Sequence, residues 1–442
     1  MHLLGLAALI ACPLLGDESG VRWYKGNTHT HTLWSDGNDF PETAADWYKK
    51  NGYHFLVLSD HNVLQRGERW KDVTKHEREN QVVSKHLKRW GEGKLALRKE
   101  GSKTLAKLMT LEEIRRDFEE EGKFIMIEGF ELTTAAGMIE KKREFPVHSN
   151  AVNVDKLFKP QAKSTVEELL RHQADLVEAY AGKERDRVFW HVNHPNFHYA
   201  ITAETLAEAK GVDGVEIYNT STNCKNLGDK HVPGIERMWD LANTIRIKKH
   251  GLPPIFGCAT DDTHNYHTPD EHYHTGKVLK NAPGLAWVMV RSRSLDADAI
   301  AGAMRRGDFY SSTGITLKEL AYDPEEGTLS IEVDPKPGRK YVIRFIGSPA
   351  DVSLEHETPK PFRDWKRVMR PMSGVYADER LGAELRKVEG VKASYRLSGD
   401  ELYVRAVVSC DAENLPRIDE GLVQRKAWTQ PVGWEKRLPK HK

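Results

Sequence analysis

From Trp23 to about Ser312 the chain alternates short apolar runs with stretches of helical period. The apolar runs are Phe55-Leu56-Val57-Leu58, Phe124-Ile125-Met126-Ile127, Val188-Phe189-Trp190, Gly214-Val215-Glu216-Ile217 and Ile255-Phe256-Gly257-Cys258. Each has the length of a buried strand. Between them, Pro41 to Asn51 opens with proline in its first turn and stops at Gly52, and Thr165 to Tyr180 sets Val166, Leu169, Leu170 and Leu176 on one side. Ile235 to His250 closes at Gly251 with Pro253 and Pro254 just beyond, a clear helix stop. Strands alternating with helices predict an α/β fold with a parallel sheet under a layer of helices, and about seven repeats favour closure into a barrel. From Thr316 onward the period falls to two, as in Leu329-Ser330-Ile331-Glu332-Val333 and Tyr341-Val342-Ile343-Arg344-Phe345, with turn formers such as Pro335-Lys336-Pro337-Gly338 between. A small β-sandwich is expected there, over 316–442, after a barrel over 21–315.

One segment, 65–111, breaks the rhythm. Between Arg66 and Lys107 it carries thirteen basic residues against six acidic ones. It reads either as a solvated helical excursion or as a lid offering positive charge to an anionic substrate.

Composition narrows the function classes. The 442 residues, 39% hydrophobic and 30% charged, can bury a core and fill two domains. Sixty-six basic against sixty-five acidic side chains give a net charge of +1, so no overall field exists for nucleic acid or an anionic membrane. No run of apolar residues is long enough to span a bilayer. The four cysteines, Cys12, Cys224, Cys258 and Cys410, include no Cys-x-x-Cys pair, which excludes a zinc ribbon and a disulfide framework. Leu3 to Gly16 has the apolar core of a signal peptide over 1–20, and Leu9-Ile10-Ala11-Cys12 resembles a lipobox. Export to the periplasm or beyond is expected, with a lipid anchor if Cys12 is acylated. A buried first strand or helix is the competing reading.

The chemistry lies in the twenty histidines. His29 and His31 flank Thr30, and residues two apart in a strand point to one side, so both imidazoles can reach one ion. At this histidine content such a pair arises by chance about once, and His272-Tyr273-His274 is a second. Position distinguishes the first. Strand ends lead to Asp60-His61, to Glu128-Gly129-Phe130-Glu131, to His191-Val192-Asn193-His194 and to Asp261-Asp262-Thr263-His264, and a further strand begins at His148. In a β/α barrel these ends share one rim. Histidines and carboxylates crowded there would cost several kcal/mol per uncompensated charge unless cations neutralise them.

The order His-x-His (His29, His31), Ser-Asp-Gly (Asp36), Asp-His (His61), Gly-x-Glu (Glu131), His148, His-Pro (His194) and Asp-x-His (Asp262, His264) resembles the polymerase and histidinol phosphatase superfamily. The resemblance covers about Trp23 to Thr313. It implies a distorted seven-stranded β/α barrel and a metal-dependent hydrolase. Gly26 to Gly37, the Thr-Asp-Asp-Thr-His segment and the β-rich tail look like the exported branch that includes carbaryl-hydrolase-like enzymes. Residue by residue, the resemblance makes those nine residues ligands of two or three divalent ions of zinc, manganese or iron, with Glu131 bridging and Glu128 its alternative. Asp60 and Asp261 are read as groups that orient imidazoles, Asp60 also as a catalytic proton carrier. His191 is taken as structural, and His198, His267, His272 and His274 as rim or solvent residues. Asn62, Asn219 and Arg306 are substrate-binding candidates. The implied reaction is attack by metal-bound hydroxide on a phosphoester, phosphodiester or related ester of a small, in some cases anionic, molecule. A carbamate or carboxyl ester is the alternative substrate. A metal-loaded glycan-binding protein without turnover is the alternative class.

Overall fold

The computed structural model describes residues 20–137, 145–221, 223–267, 281–364, 366, 368–411, 415–417 and 421–439. The expected signal peptide with Cys12, and His272 and His274, lie outside them. Among the described residues no helix is long and apolar enough to cross a membrane.

The elements follow in order: β1 (Arg22–Asn27), α1 (Pro41–Lys50), β2 (Phe55–Leu58), then β3 (Trp70–Asp72), α2 (Thr74–Asn80), α3 (Val82–Trp90), β4 (Leu97–Glu100) and β5 (Lys103–Lys107) in the charged segment. Then come α4 (Leu111–Phe118), β6 (Ile125–Ala136), β7 (Phe145–Val152), α5 (Val166–Ala181), β8 (Phe189–Val192), α6 (Ala203–Glu208), β9 (Gly214–Asn219), α7 (Ile235–Ile245), β10 (Phe256–Thr260), β11 (Trp287–Ser292), α8 (Ala297–Arg305) and β12 (Phe309–Ser312). The predicted helix signals act as expected. Thr165 caps α5 by accepting the Glu168 N–H, and Gly251 ends the π-helical extension of α7 in the left-handed region.

Thirteen strands form one large sheet in the order β10-β9-β8-β7-β6-β2-β1-β11-β12, continuing into four tail strands. β9–β10, β8–β9, β2–β6 and β1–β2 pair in parallel, while β7 is antiparallel to both neighbours. An all-parallel sheet was the expectation. It fails at β11, which is antiparallel to both β1 and β12, and at β7, where the stretch between Ala136 and Phe145 is too short for a helical crossover, so β6 and β7 make a hairpin. The closed seven-stranded barrel is met only in part. The fold is a mixed α/β sheet whose curl returns β10 to β1 at a single parallel bridge, Thr30–Thr263, with the His31 N–H on the Thr263 carbonyl (2.9 Å). Lower down, β10 meets β12 through Ser311 Oγ, which accepts from Ala259 N and donates to Gly257 O.

The charged segment is more than a helical excursion. β3, β5 and β4 form a small antiparallel sheet, and Val73, Val82, Val83, Leu95, Ala106 and Leu108 bury themselves against Leu33, Trp34 and Phe40. Apolar contact thus fixes it beside the loop after β1.

The tail is β-rich. Strands Tyr341–Pro349, Ala383–Glu389, Glu401–Cys410 and Lys426–Thr429 extend the large sheet through β12, where Tyr310 pairs with Thr429 and Ser312 with Ala427. Strands Leu317–Asp323, Thr328–Val333 and Lys392–Arg396 make a second, three-stranded sheet. Leu329, Ile331, Val333, Ile343, Phe345, Val404, Ala406 and Val408 fill the space between the two. On the opposite face Arg405 reaches α7, giving Asp240 two hydrogen bonds (2.7 and 2.6 Å) under the Trp239 ring.

Candidate metal centre

Sheet alternation aims one face of each strand end inward. Along β6, Glu131 and Phe130 must point opposite ways. Phe130 joins the core under the helices, and Glu131 is fully buried on the inner side. Glu128, three positions earlier, faces outward and pairs with Arg66 (Nε–Oε1 2.6 Å, Nη2–Oε2 2.7 Å). The alternative at Glu128 is therefore excluded. β6 also runs past the rim, so His148, paired opposite Thr133 on β7, still reaches the inner pocket from mid-strand.

The nine expected ligand residues come together in three overlapping groups: His31, Asp36, His61 and His264; His29, His31 and Asp262; and Glu131, His148 and His194. Glu131 lies at their centre. Its oxygens stand 2.5 Å from His61 Nδ1, 3.1 Å from His148 Nδ1, 3.4 Å from His29 Nε2 and 3.6 Å from both His31 Nε2 and His194 Nε2. Asp262 Oδ1 stands 3.2 Å from His29 Nε2 and 3.1 Å from His31 Nε2. Asp36, the one exposed member, approaches His264 Nε2 (3.4 Å) and His61 Nε2 (3.5 Å). His194 and Asp262 hold φ angles of 27° and 49°. That region costs a side chain with Cβ about 1–2 kcal/mol, strain of the kind kept where a side chain must be aimed.

Two rings are held from outside the pocket. His29 Nδ1 donates to Glu216 Oε1 (2.6 Å) and His264 Nδ1 to the Asp262 carbonyl (2.8 Å), whereas His61 Nδ1 lies 2.5 Å from both Thr133 Oγ1 and Glu131 Oε2. With the proton on Nδ1, the Nε2 of His29 and of His264 presents a lone pair to the pocket. At the meeting point of the second group, His29 Nε2 and His31 Nε2 lie 3.1 Å apart with Asp262 Oδ1 between them. Acceptors face acceptors, without water to dilute the repulsion. Burial opposes charge on His29, but Asp262, Glu216 and Glu131 outweigh it and lift its pKa well above the ordinary imidazole value. Burial, with His264 and His61 beside it, pushes His31 down to about 4. Against the opposing effect of burial, Glu131 and Asp36 push His61 up to about 11, and Asp36 and Asp262 raise His264, so the carboxylates of the cluster draw in positive charge. Imidazole and carboxylate donors in this number suit divalent zinc, iron or manganese.

Glu216 was not singled out from the sequence. It is fully buried, and besides His29 it accepts from Thr260 Oγ1 (2.6 Å), the His194 N–H (2.8 Å) and Asn219 Nδ2 (2.8 Å). Asn193 Nδ2 likewise supports Glu131 Oε1 (2.9 Å). A lone carboxylate inside the apolar run Gly214-Val215-Glu216-Ile217 was the available signal for Glu216.

Several other expectations change. Asp60 touches no ligand imidazole. Its carboxylate accepts from Thr32 N (2.7 Å), Ser35 Oγ (2.6 Å), Thr32 Oγ1 (2.9 Å) and Gln65 Nε2 (2.9 Å), so it ties down the loop between His31 and Asp36 and reaches the ligands only through the Ser35 hydroxyl. Asp261 is held by Asn27, Tyr48 and the N–H groups of Gly284, Leu285 and Ala286, again away from any ligand ring. Asn219 is fully buried behind the ligands, bridging Glu216 and Asp262, and offers nothing to a substrate. Asn62 exchanges hydrogen bonds with the Thr133 backbone, pinning β2 to β6. Arg306 ends α8 and pairs with Asp308 near Trp23, at the amino end of β1. β11 runs antiparallel to β1 and ends with Ser292 opposite Arg22, and β12 begins with Phe309 opposite Val290, so the connection through Arg306 sits at the end of the sheet away from the rim. His191 is buried with Nε2 on Thr28 Oγ1 (3.2 Å), as expected of a structural residue.

No family model and no curated protein matches the chain. Among solved structures it is similar to a two-domain protein from Bacteroides vulgatus ATCC 8482 containing a predicted PHP-like metal-dependent phosphoesterase, at 13% identity over 92% of this chain and 95% of that one, with a TM-score of 0.36. It is also similar to a proposed metal-dependent phosphoesterase from Bifidobacterium adolescentis ATCC 15703, at 14% identity over 55% of this chain and 89% of that one, with a TM-score of 0.26. Likeness at that level leaves the chemistry to be read from the side chains themselves.

Proposed function

We propose that the chain is an exported metal-dependent hydrolase of the polymerase and histidinol phosphatase superfamily, near its carbaryl-hydrolase-like branch, acting on a small-molecule phosphoester or phosphodiester. The observation that carries this reading is the convergence of imidazole nitrogens and carboxylate oxygens on shared points, with the Nδ1 atoms of His29 and His264 engaged by Glu216 and the Asp262 carbonyl. His29, His31, Asp36, His61, Glu131, His148, His194, Asp262 and His264 would hold two or three divalent ions. Such ions supply a water that ionises near neutral pH and polarise the bond being cut.

The chain's own residues fix the geometry. Glu216 sets the His29 ring and the Asp262 carbonyl the His264 ring, each leaving Nε2 aimed inward, and Thr133 and Glu131 together hold His61 Nδ1 with its Nε2 toward Asp36. Glu131 belongs to the group of His148 and His194 and also sets Oε2 beside His61 Nδ1 and His31 Nε2 of the first group, so its two oxygens could serve neighbouring ions. Asp36, solvent-facing, marks the side from which substrate enters.

Elemental analysis of the purified protein, with turnover of p-nitrophenyl phosphate, bis-p-nitrophenyl phosphate and naphthyl carbamate before and after chelation, tests the reading. Two or three equivalents of divalent metal, phosphoester turnover, and its loss on chelation with return on metal addition are expected. Turnover that persists in metal-free protein overturns the mechanism.

A further inference from the structure

We propose that the first strand of the charged segment supplies an anion-receiving edge to the metal centre, with Lys71 as a specificity-determining cation and Arg69 beside it. The inference deepens the hydrolase reading and rests on it: the substrate class it names is an ester carrying a phosphate oxygen on the Asp36 side.

Residues two apart in an extended segment share a face, so Arg69 and Lys71 point one way, Trp70 and Asp72 the other. The outward pair makes outward contacts, Trp70 with Glu68 and Asp72 with Lys103. The inward pair meets the loop that bears Asp36. Lys71 Nζ donates to the Ser35 carbonyl (2.6 Å), and the Arg69 guanidinium lies 5.3 Å from the centre of the Trp34 ring. Ser35 in turn places its hydroxyl 3.5 Å from His31 Nδ1 and 3.4 Å from Asp36 Oδ1. One backbone carbonyl therefore separates the lysine from the outermost metal group.

Charge accounting sets these two apart. Arg66, Lys75, Arg78, Arg89, Arg98, Lys103 and Lys107 of the same segment each lie beside a carboxylate. Lys85, Lys88, Lys94 and Lys99 have no carboxylate partner among the described residues, but they are exposed and water solvates them. Arg69 and Lys71 are half-buried and also lack a carboxylate partner. Partial burial and the neighbouring Arg69 lower the Lys71 pKa, outweighing the attraction of the Asp60 and Asp36 carboxylates nearby. The apolar packing against Leu33, Trp34 and Phe40 holds the edge in place without a closing motion.

The test uses the full metal-loaded chain, comparing wild type with Lys71→Met, Lys71→Arg and Arg69→Met. Calorimetry with inorganic phosphate reads the edge directly, and kcat/KM for p-nitrophenyl phosphate against neutral p-nitrophenyl acetate reads its selectivity. Loss of one charged hydrogen bond predicts about a ten-fold weaker phosphate Kd in Lys71→Met and a similar fall in the anionic-to-neutral ratio. Metal content should not change. Lys71→Arg should recover most of both, and Arg69→Met, which leaves the Ser35 carbonyl alone, should shift both by a smaller factor. An unchanged phosphate Kd in Lys71→Met, no phosphate binding to wild type, or equal losses on both esters overturns the proposal and leaves Lys71 as a pin for the loop. If wild type hydrolyses no ester, the hydrolase reading falls, while phosphate calorimetry still decides the edge.

Discussion

Of the buried concentrations of charge among the described residues, two are built on opposite principles. Where the tail meets α7, Arg405 and Asp240 exchange two hydrogen bonds, Tyr403 OH adds a third to Asp240 (3.0 Å), and the guanidinium lies against Trp239. The guanidinium also stands 3.4 Å from Glu236 Oε1, so the chain supplies both signs of charge itself. In the metal centre carboxylates and imidazole lone pairs face one another, and the positive charge must come from outside. Burial alone therefore does not mark a functional site. An excess of negative charge and lone pairs that the chain does not balance does.

Breaking the matched pair should give the largest effect. Asp240→Ala leaves the Arg405 guanidinium buried without its partner and should cost about 3–5 kcal/mol in denaturant unfolding, while Asp240→Leu combined with Arg405→Met should cost much less than that. A double variant as unstable as the single one would show that the pair is not self-contained. Glu216→Gln sharpens the other side of the comparison. It replaces the carboxylate that holds the proton on His29 Nδ1 with a neutral amide, and metal affinity should fall about 10- to 100-fold by competition with a fluorescent chelator, with unfolding of the metal-free protein changed far less. The smallest effect belongs to Arg306→Ala. Its pair with Asp308 is on the surface at the far end of the sheet; stability should move by less than about 1 kcal/mol, and phosphoester turnover should match wild type.

How much of this was legible in the sequence depends on how local each cause is. The strand ends carrying His29, His61, Glu131, His194 and Asp262 could be placed because a period of apolar residues marks a strand and fold geometry gathers the ends. Asp36 and His148 came from the resemblance rather than from periodicity. Groups that act through a partner distant in the chain stayed hidden: Glu216 meets His29 across 187 positions, and an apolar strand gives it no local signature beyond its charge. Asp60 was misassigned for the converse reason. Adjacency to His61 suggested contact, yet consecutive residues on an extended chain face opposite sides, and Asp60 turned to the loop of Thr32 and Ser35. Arg306 was misplaced because nearness to a helix end says nothing of which end of the sheet that helix reaches. The antiparallel β7 was readable in principle, since the short stretch before His148 leaves no room for a crossover.

The pairing of β12 with strand Lys426–Thr429 has a consequence for how this chain can be taken apart or recombined. A cut between Ser312 and Leu317 would strip the neighbour from a strand whose other side packs into the α/β half, and would orphan Asp240 at the same stroke. The halves share hydrogen-bond ladders as well as a linker, so neither can be swapped for a homologue's part without rebuilding a seam that runs through the middle of the sheet.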